Sequence, residues 1–99
     1  MTVSDAVRSL LEKGPLPSEN EATDDDLEDF ERLLEEIQQP VSPEEAQLLL
    51  NAFGTDNCYG LSWTLLHVIE TSPVQPVISE DAATRNEWLK LLLERRKAS

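Results

Sequence analysis

The chain of 99 residues has one cysteine, Cys58, three glycines, only eight basic residues and no long apolar run. Each shortage excludes something. With a single thiol no intramolecular disulfide can form, so a disulfide-framed secreted scaffold is excluded and a reducing, cytoplasmic setting is expected. Sparse glycine together with 39% apolar residues speaks against wholesale disorder. Nothing approaches the ~20 consecutive apolar residues that a membrane-spanning helix needs. The leading MTVSDAVRSLLEKG carries Asp5, Arg8, Glu12 and Lys13 where a signal peptide would have an apolar stretch. Eight bases face 20 acids, a formal charge of −12, which argues against nucleic acid or anionic membrane as partner and asks for a basic one. The length suits a single domain over residues 1–99 with one small core.

What is present is helical periodicity, divided by clear punctuation into five segments. Ser4 is placed to cap a first helix that presents Ala6, Val7, Leu10 and Leu11 to a core and stops at Gly14-Pro15. Residues 14–22, GPLPSENEA, are polar and aperiodic and predict a mobile loop. Thr23 starts a second helix with Asp26 as its capping partner and Leu27, Phe30, Leu33, Leu34 and Ile37 on one stripe. Ser42-Pro43-Glu44-Glu45 is a full capping box for a third, with Ala46, Leu49, Leu50 and Phe53 facing inward and Gly54 just past its end. The short connection between the second and third helices predicts an antiparallel hairpin.

A loop over residues 55–60 leads into the most apolar segment, residues 61–70, whose apolar residues surround most of the helix and mark it as the central element. After the prolines of SPVQPVIS, Ser79 is placed to cap a fifth helix running to about Arg96, with Trp88, Leu89, Leu91, Leu92 and Leu93 as its apolar set. Glu80 and Asp81 at its start and Arg95, Arg96 and Lys97 at its end match the helix dipole. The fold class is therefore all-α, with about five helices in antiparallel hairpins forming a small bundle or a HEAT-like stack.

The charge is not spread evenly. Residues 18–45 hold twelve acids against Arg32 alone, a net −11, whereas the rest of the chain holds eight acids and seven bases, a net −1. At about 100° per residue, with Phe30 and Ile37 centring the core stripe, Asp25, Glu28, Arg32, Glu35 and Glu36 project outward. The expectation is an acidic ridge, with Arg32 easing the repulsion through Glu28 and Glu36. The candidate partner-binding residues are Asp24, Asp25, Glu28, Asp29, Glu35 and Glu36 on this helix, with Asp56 and Tyr59 at the tip of the 55–60 loop, where an exposed tyrosine suits an interface anchor. Trp63 is expected to pack inside.

Catalytic and metal chemistry find little support. Asp24-Asp25-Asp26 lacks the alternating oxygens and the distal glutamate of a calcium loop, and consecutive helical side chains point apart. Cys58 and His67 are the only thiol and imidazole, and no third orienting group accompanies them. No phosphate-cradling glycine loop, zinc spacing or nucleophile elbow occurs. The expectation is a non-enzyme without metal or cofactor.

Phe53-Gly54-Thr55-Asp56 followed by Gly60-Leu61-Ser62-Trp63-Thr64-Leu65-Leu66-His67-Val68-Ile69-Glu70-Thr71, about a quarter of the chain, resembles a segment of small, uncharacterised, HEAT-like helical proteins of bacteria. Some small acidic helical proteins of this general kind serve as immunity proteins that neutralise toxins. The resemblance assigns no catalytic residue. With the acidic ridge it implies an immunity protein or antitoxin that occludes a basic toxin, such as a nuclease, its carboxylates mimicking phosphate; the alternative is a helical adaptor or regulatory subunit.

Overall fold

Four hydroxyl side chains begin helices where the sequence places them. Ser4, Thr23, Ser42 and Ser79 are extended in backbone, and each accepts a hydrogen bond from the N–H three residues on, at 3.3, 3.1, 3.0 and 3.1 Å. The computed structural model describes residues 3–54 and 56–98. Thr55 of the predicted loop and the side chain of Lys97 lie outside this description. Among the described residues there are six α-helices and no strand: α1 (Asp5–Lys13), α2 (Asp24–Glu36), α3 (Pro43–Leu49), α4 (Leu61–Glu70), α5 (Glu80–Arg85) and α6 (Glu87–Ala98). None of them is long and apolar enough to cross a membrane.

The sixth helix arises because the predicted fifth one breaks. Asn86 leaves the helix with φ −139° and ψ 119°. Its Oδ1 accepts from the N–H of Trp88 at 2.8 Å and of Leu89 at 3.4 Å, capping α6, while its Nδ2 donates to the carbonyl of Gly54 at 3.1 Å. Asparagine is a strong N-cap, but no proline or glycine marks the spot and the apolar pattern runs on without interruption.

The core follows the predicted stripes. Phe30, Leu33, Leu34 and Ile37 of the second segment are buried, as are Val7 and Leu10 of α1 and Leu61, Leu65, Leu66, Val68 and Ile69 of α4. Helix α4 packs against α2, α3 and α6, which makes it the central element its composition predicts. The expected hairpin of the second and third helices is not the main pairing, since α2 packs chiefly on α1 and α4. Two buried residues of the connector, Ile37 and Val41, explain this: the connector enters the core, and Val41 N–H donates to Thr71 Oγ1 at 3.1 Å, holding the start of α3 beside the end of α4. Lys13, in the last turn of α1, lies 3.8 Å from Asp26 and 3.6 Å from Asp29, so the end of α1 meets the beginning of α2.

Gly54 is required for a different reason from the one the sequence suggests. Helix α3 tightens into a 3-10 turn over Leu50–Ala52, and Phe53 is already extended. Leu50, expected inside, is only half-buried. A Cβ on Gly54 would stand 2.0 Å from the carbonyl oxygen of Leu16. That close approach holds the 14–22 connection: Leu16 is 3% exposed, and its N–H donates to the carbonyl of Ala52 at 2.9 Å.

Candidate functional site

Helix α2 has two chemically opposite sides. Its apolar stripe faces α1 and α4, and Asp24, Asp25, Glu28, Glu31, Glu35 and Glu36 stand exposed on the remainder. Among the described residues none of these six carboxylates forms an ion pair. Arg32 does not relieve Glu28 and Glu36 as expected; it pairs with Asp29 at 3.3 Å. Asp29 is half-buried and also serves Lys13 at 3.6 Å, which sets it apart from the free acids of the ridge. Asp26 closes the capping box with Thr23. Repulsion is therefore left standing in the pairs Asp24–Glu28 and Glu31–Glu35, each opposing the helix by roughly 0.2 to 0.5 kcal/mol.

Beside the beginning of α2 the loop over residues 56–60 is fastened to the loop that precedes the helix. Cys58, Tyr59 and Gly60 have φ of 47°, 53° and 93°, three successive left-handed residues of which two carry side chains. Such a run persists only when its surroundings hold it. Asp56 supplies much of the hold. Its Oδ1 accepts from Cys58 N–H and its Oδ2 from Glu19 N–H, both at 3.0 Å. Its carbonyl accepts from Ser62 Oγ at 2.8 Å and from the indole N–H of Trp88 at 3.1 Å. Glu19 reciprocates: its Oε2 accepts from Tyr59 N–H at 3.0 Å and its carbonyl from the Tyr59 hydroxyl at 3.2 Å. Asp56 is thus half-buried and occupied within the chain, whereas Tyr59 is 63% exposed, with its ring held from the hydroxyl end.

An aromatic array continues from this loop. Trp63 is 39% exposed, contrary to the expectation that it packs inside. It meets Trp88 edge to face at 5.3 Å between ring centroids and His67 at 6.0 Å. Trp88 in turn stacks parallel to Phe53 at 6.2 Å. The helix break at Asn86 sets this up, because it aims the second residue of α6 at the Asp56 carbonyl.

Cys58 and His67 do not form a reactive pair. Cys58 is fully buried, and burial pushes its thiol above the ordinary value, with the negative charges of Asp56, Glu19 and Asp26 adding to the effect. His67 lies on the exposed side of α4. Among the described residues no group of three or more His, Cys, Asp or Glu side chains comes together that could hold a metal ion.

Sequence reasoning missed three participants. Glu19 appears there only as one of twelve acids, and its clasp on Tyr59 spans 40 positions. Trp88 appears as core, although its N–H is spent on Asp56. Glu45 is recognised as a capping-box member, but its second role has no local signal: Oε1 accepts from Ser42 N–H and Oε2 from Ser4 N–H, each at 2.9 Å, so one carboxylate joins the starts of α1 and α3. At 7% exposure burial alone raises the Glu45 carboxyl, but the hydrogen bonds from Ser42 and Ser4 outweigh it and hold the group below its ordinary value. Compared with protein-family models, with curated proteins and with solved structures, the chain matches none.

Proposed function

We propose that the chain is an acidic binding module that occludes a cationic protein, most concretely as an immunity protein or antitoxin whose target is a basic toxin of the nuclease class. The observation that carries this reading is the set of unpaired carboxylates on α2, concentrated on one exposed side while the cations around them are engaged elsewhere. Repulsion that lowers helix stability and is left unrelieved is the kind of local conflict that accompanies a functional surface. Carboxylates in a row resemble the phosphates of a nucleic acid to a basic groove, and a concentrated field of one sign speeds encounter and weakens with salt. Blocking is stoichiometric, and no bond is made or broken.

The test is co-expression with the product of the reading frame adjacent to the chain's own gene. Growth arrest by that product should be relieved by the native chain and not by Glu28→Gln/Glu35→Gln/Glu36→Gln, with the variant's helical circular dichroism unchanged. In vitro the variant should associate about tenfold or more slowly at low salt, the difference shrinking at high salt. A neighbouring product without toxicity, or equal relief by the variant, overturns the immunity reading. Partner binding that ignores both salt and the substitutions favours an adaptor whose acids only confer solubility.

A further inference from the structure

The connection between α4 and α5, residues 72–79, divides its apolar side chains between water and the interior. Val74 and Val77 are 60% and 77% exposed, whereas Pro76 and Ile78 are buried. Polar side chains supply most of its remaining attachment. Gln47 of α3 pairs with the backbone of Val77 much as a residue of a neighbouring strand would. Its Oε1 accepts from Val77 N–H at 2.9 Å and its Nε2 donates to the Val77 carbonyl at 3.0 Å, across 30 positions of sequence. Both bonds are exposed to water. On the other side Arg96 of α6 donates to the carbonyl of Pro76. Few buried apolar contacts and solvent-exposed backbone hydrogen bonds are the marks of a segment that opens locally at low cost.

We propose that residues 73–78 are a strap that lifts from α3 and α6 as a unit while the helices stay folded, with Gln47 as its latch. Stiffness makes it move in one piece. Pro73 and Pro76 fix their own φ and keep Ser72 and Gln75 before them extended, so the freed strap gains little conformational freedom and recloses readily. Bonds at its ends are local and survive the movement: Ser72 Oγ donates to the Val74 carbonyl at 2.7 Å, and Ser79 caps α5. Val77 and Ile78 form one wall of a groove of about 440 Å³, and Leu48, Leu50 and Leu89 line it with them. Lifting the strap removes that wall and bares Ile78 together with these three half-buried leucines. The device is separate from the acidic ridge, because α2 packs chiefly on α1 and α4 and neither Gln47 nor Arg96 belongs to it.

Ile78→Cys places a thiol on the covered side of the strap, and Cys58, fully buried elsewhere in the fold, is the reference within the same molecule. Alkylation by iodoacetamide is measured for both, each relative to its rate in denaturant, with the fold checked by circular dichroism. The new thiol should react at least tenfold faster than Cys58, at a rate nearly independent of urea below the unfolding transition, because a small opening exposes little surface. Adding Gln47→Ala removes both bonds to Val77 and should speed the new thiol about tenfold while leaving Cys58 unchanged. In the native chain, exchange of the Val77 N–H should likewise ignore dilute urea, while exchange of the Leu65 and Leu66 amides of α4 rises steeply with it. A new thiol that reacts in step with global unfolding, or whose rate Gln47→Ala does not change, overturns the proposal. So does Val77 exchange that rises with urea as steeply as that of α4, and this measurement decides alone if Ile78→Cys does not fold. The charge-dependent binding reading stands or falls by its own experiment.

Discussion

Removing the Glu45 carboxylate should cost this protein a large fraction of its stability. Two backbone donors, Ser42 N–H and Ser4 N–H, each at 2.9 Å, depend on it. A hydrogen bond to a charged group contributes about 1.5–3 kcal/mol, and since both donors sit at helix starts that water can partly reach, Glu45→Ala should lose about 2–4 kcal/mol in total. For a domain of this size each kcal/mol is about 4–8 °C, so the melting temperature near pH 7 should fall by about 10–25 °C. Glu45→Gln keeps the packing and one acceptor but turns an amide N–H₂ toward the second donor, and should lose about half as much. Because the folded carboxyl lies below its ordinary value of 4.5, its contribution is complete above that pH and disappears as pH falls through the depressed folded value. The gap between native protein and Glu45→Gln, followed by circular dichroism, should therefore be wide near pH 7 and narrow progressively as pH falls below 4.5. Comparing the two proteins cancels the response of the other nineteen acids. A Glu45→Ala melt within about 2 °C of native, or a gap of equal width near pH 7 and pH 3, would refute the account of Glu45 as the tie between α1 and α3.

Other substitutions test neighbouring claims. Gly54→Ala must displace the Leu16 carbonyl and should destabilise by about 1–3 kcal/mol in urea titration, a loss that a helix-end role for Gly54 would not produce. Cys58, buried and with its thiol raised by burial and nearby carboxylates, should react with iodoacetamide far more slowly in the native protein than in denaturant; equal rates would mean the 56–60 loop is open. Glu28→Gln/Glu35→Gln removes two like-charge pairs and should raise stability by about 0.4–1 kcal/mol, and a loss would show that these acids have structural partners.

Local features were legible in the chain and distant ones were not. A serine or threonine followed by a periodic apolar stripe is a signal within a few residues, and all four such caps start helices. The central position of residues 61–70 was legible too, because a segment apolar on most sides must be covered on most sides. What failed depends on residues far apart. The demand for glycine at position 54 comes from Leu16, and the exposure of Trp63 depends on the course of α6; Arg32 is the local exception, since its partner Asp29 is only three residues away. Asn86 is the clearest case, for a helix can break where tertiary hydrogen bonds offer one side chain a better use than continuing the pattern. Of the candidate site, the acids of α2 and the exposure of Tyr59 were readable; the occupation of Asp56 within the chain and the aromatic array were not.

The array of Phe53, Trp63 and Trp88 draws one residue from each of three separate stretches, and the turn at Asn86 brings the last of them into place. Such a surface is a conformational epitope: no fragment of the chain carries it, and the unfolded chain does not possess it. A ligand that recognises it binds only the native state, so its concentration adds directly to native-state stability by mass action. A melting temperature that climbs with added partner would thus report binding to the folded chain, without any label and without knowledge of what the partner does.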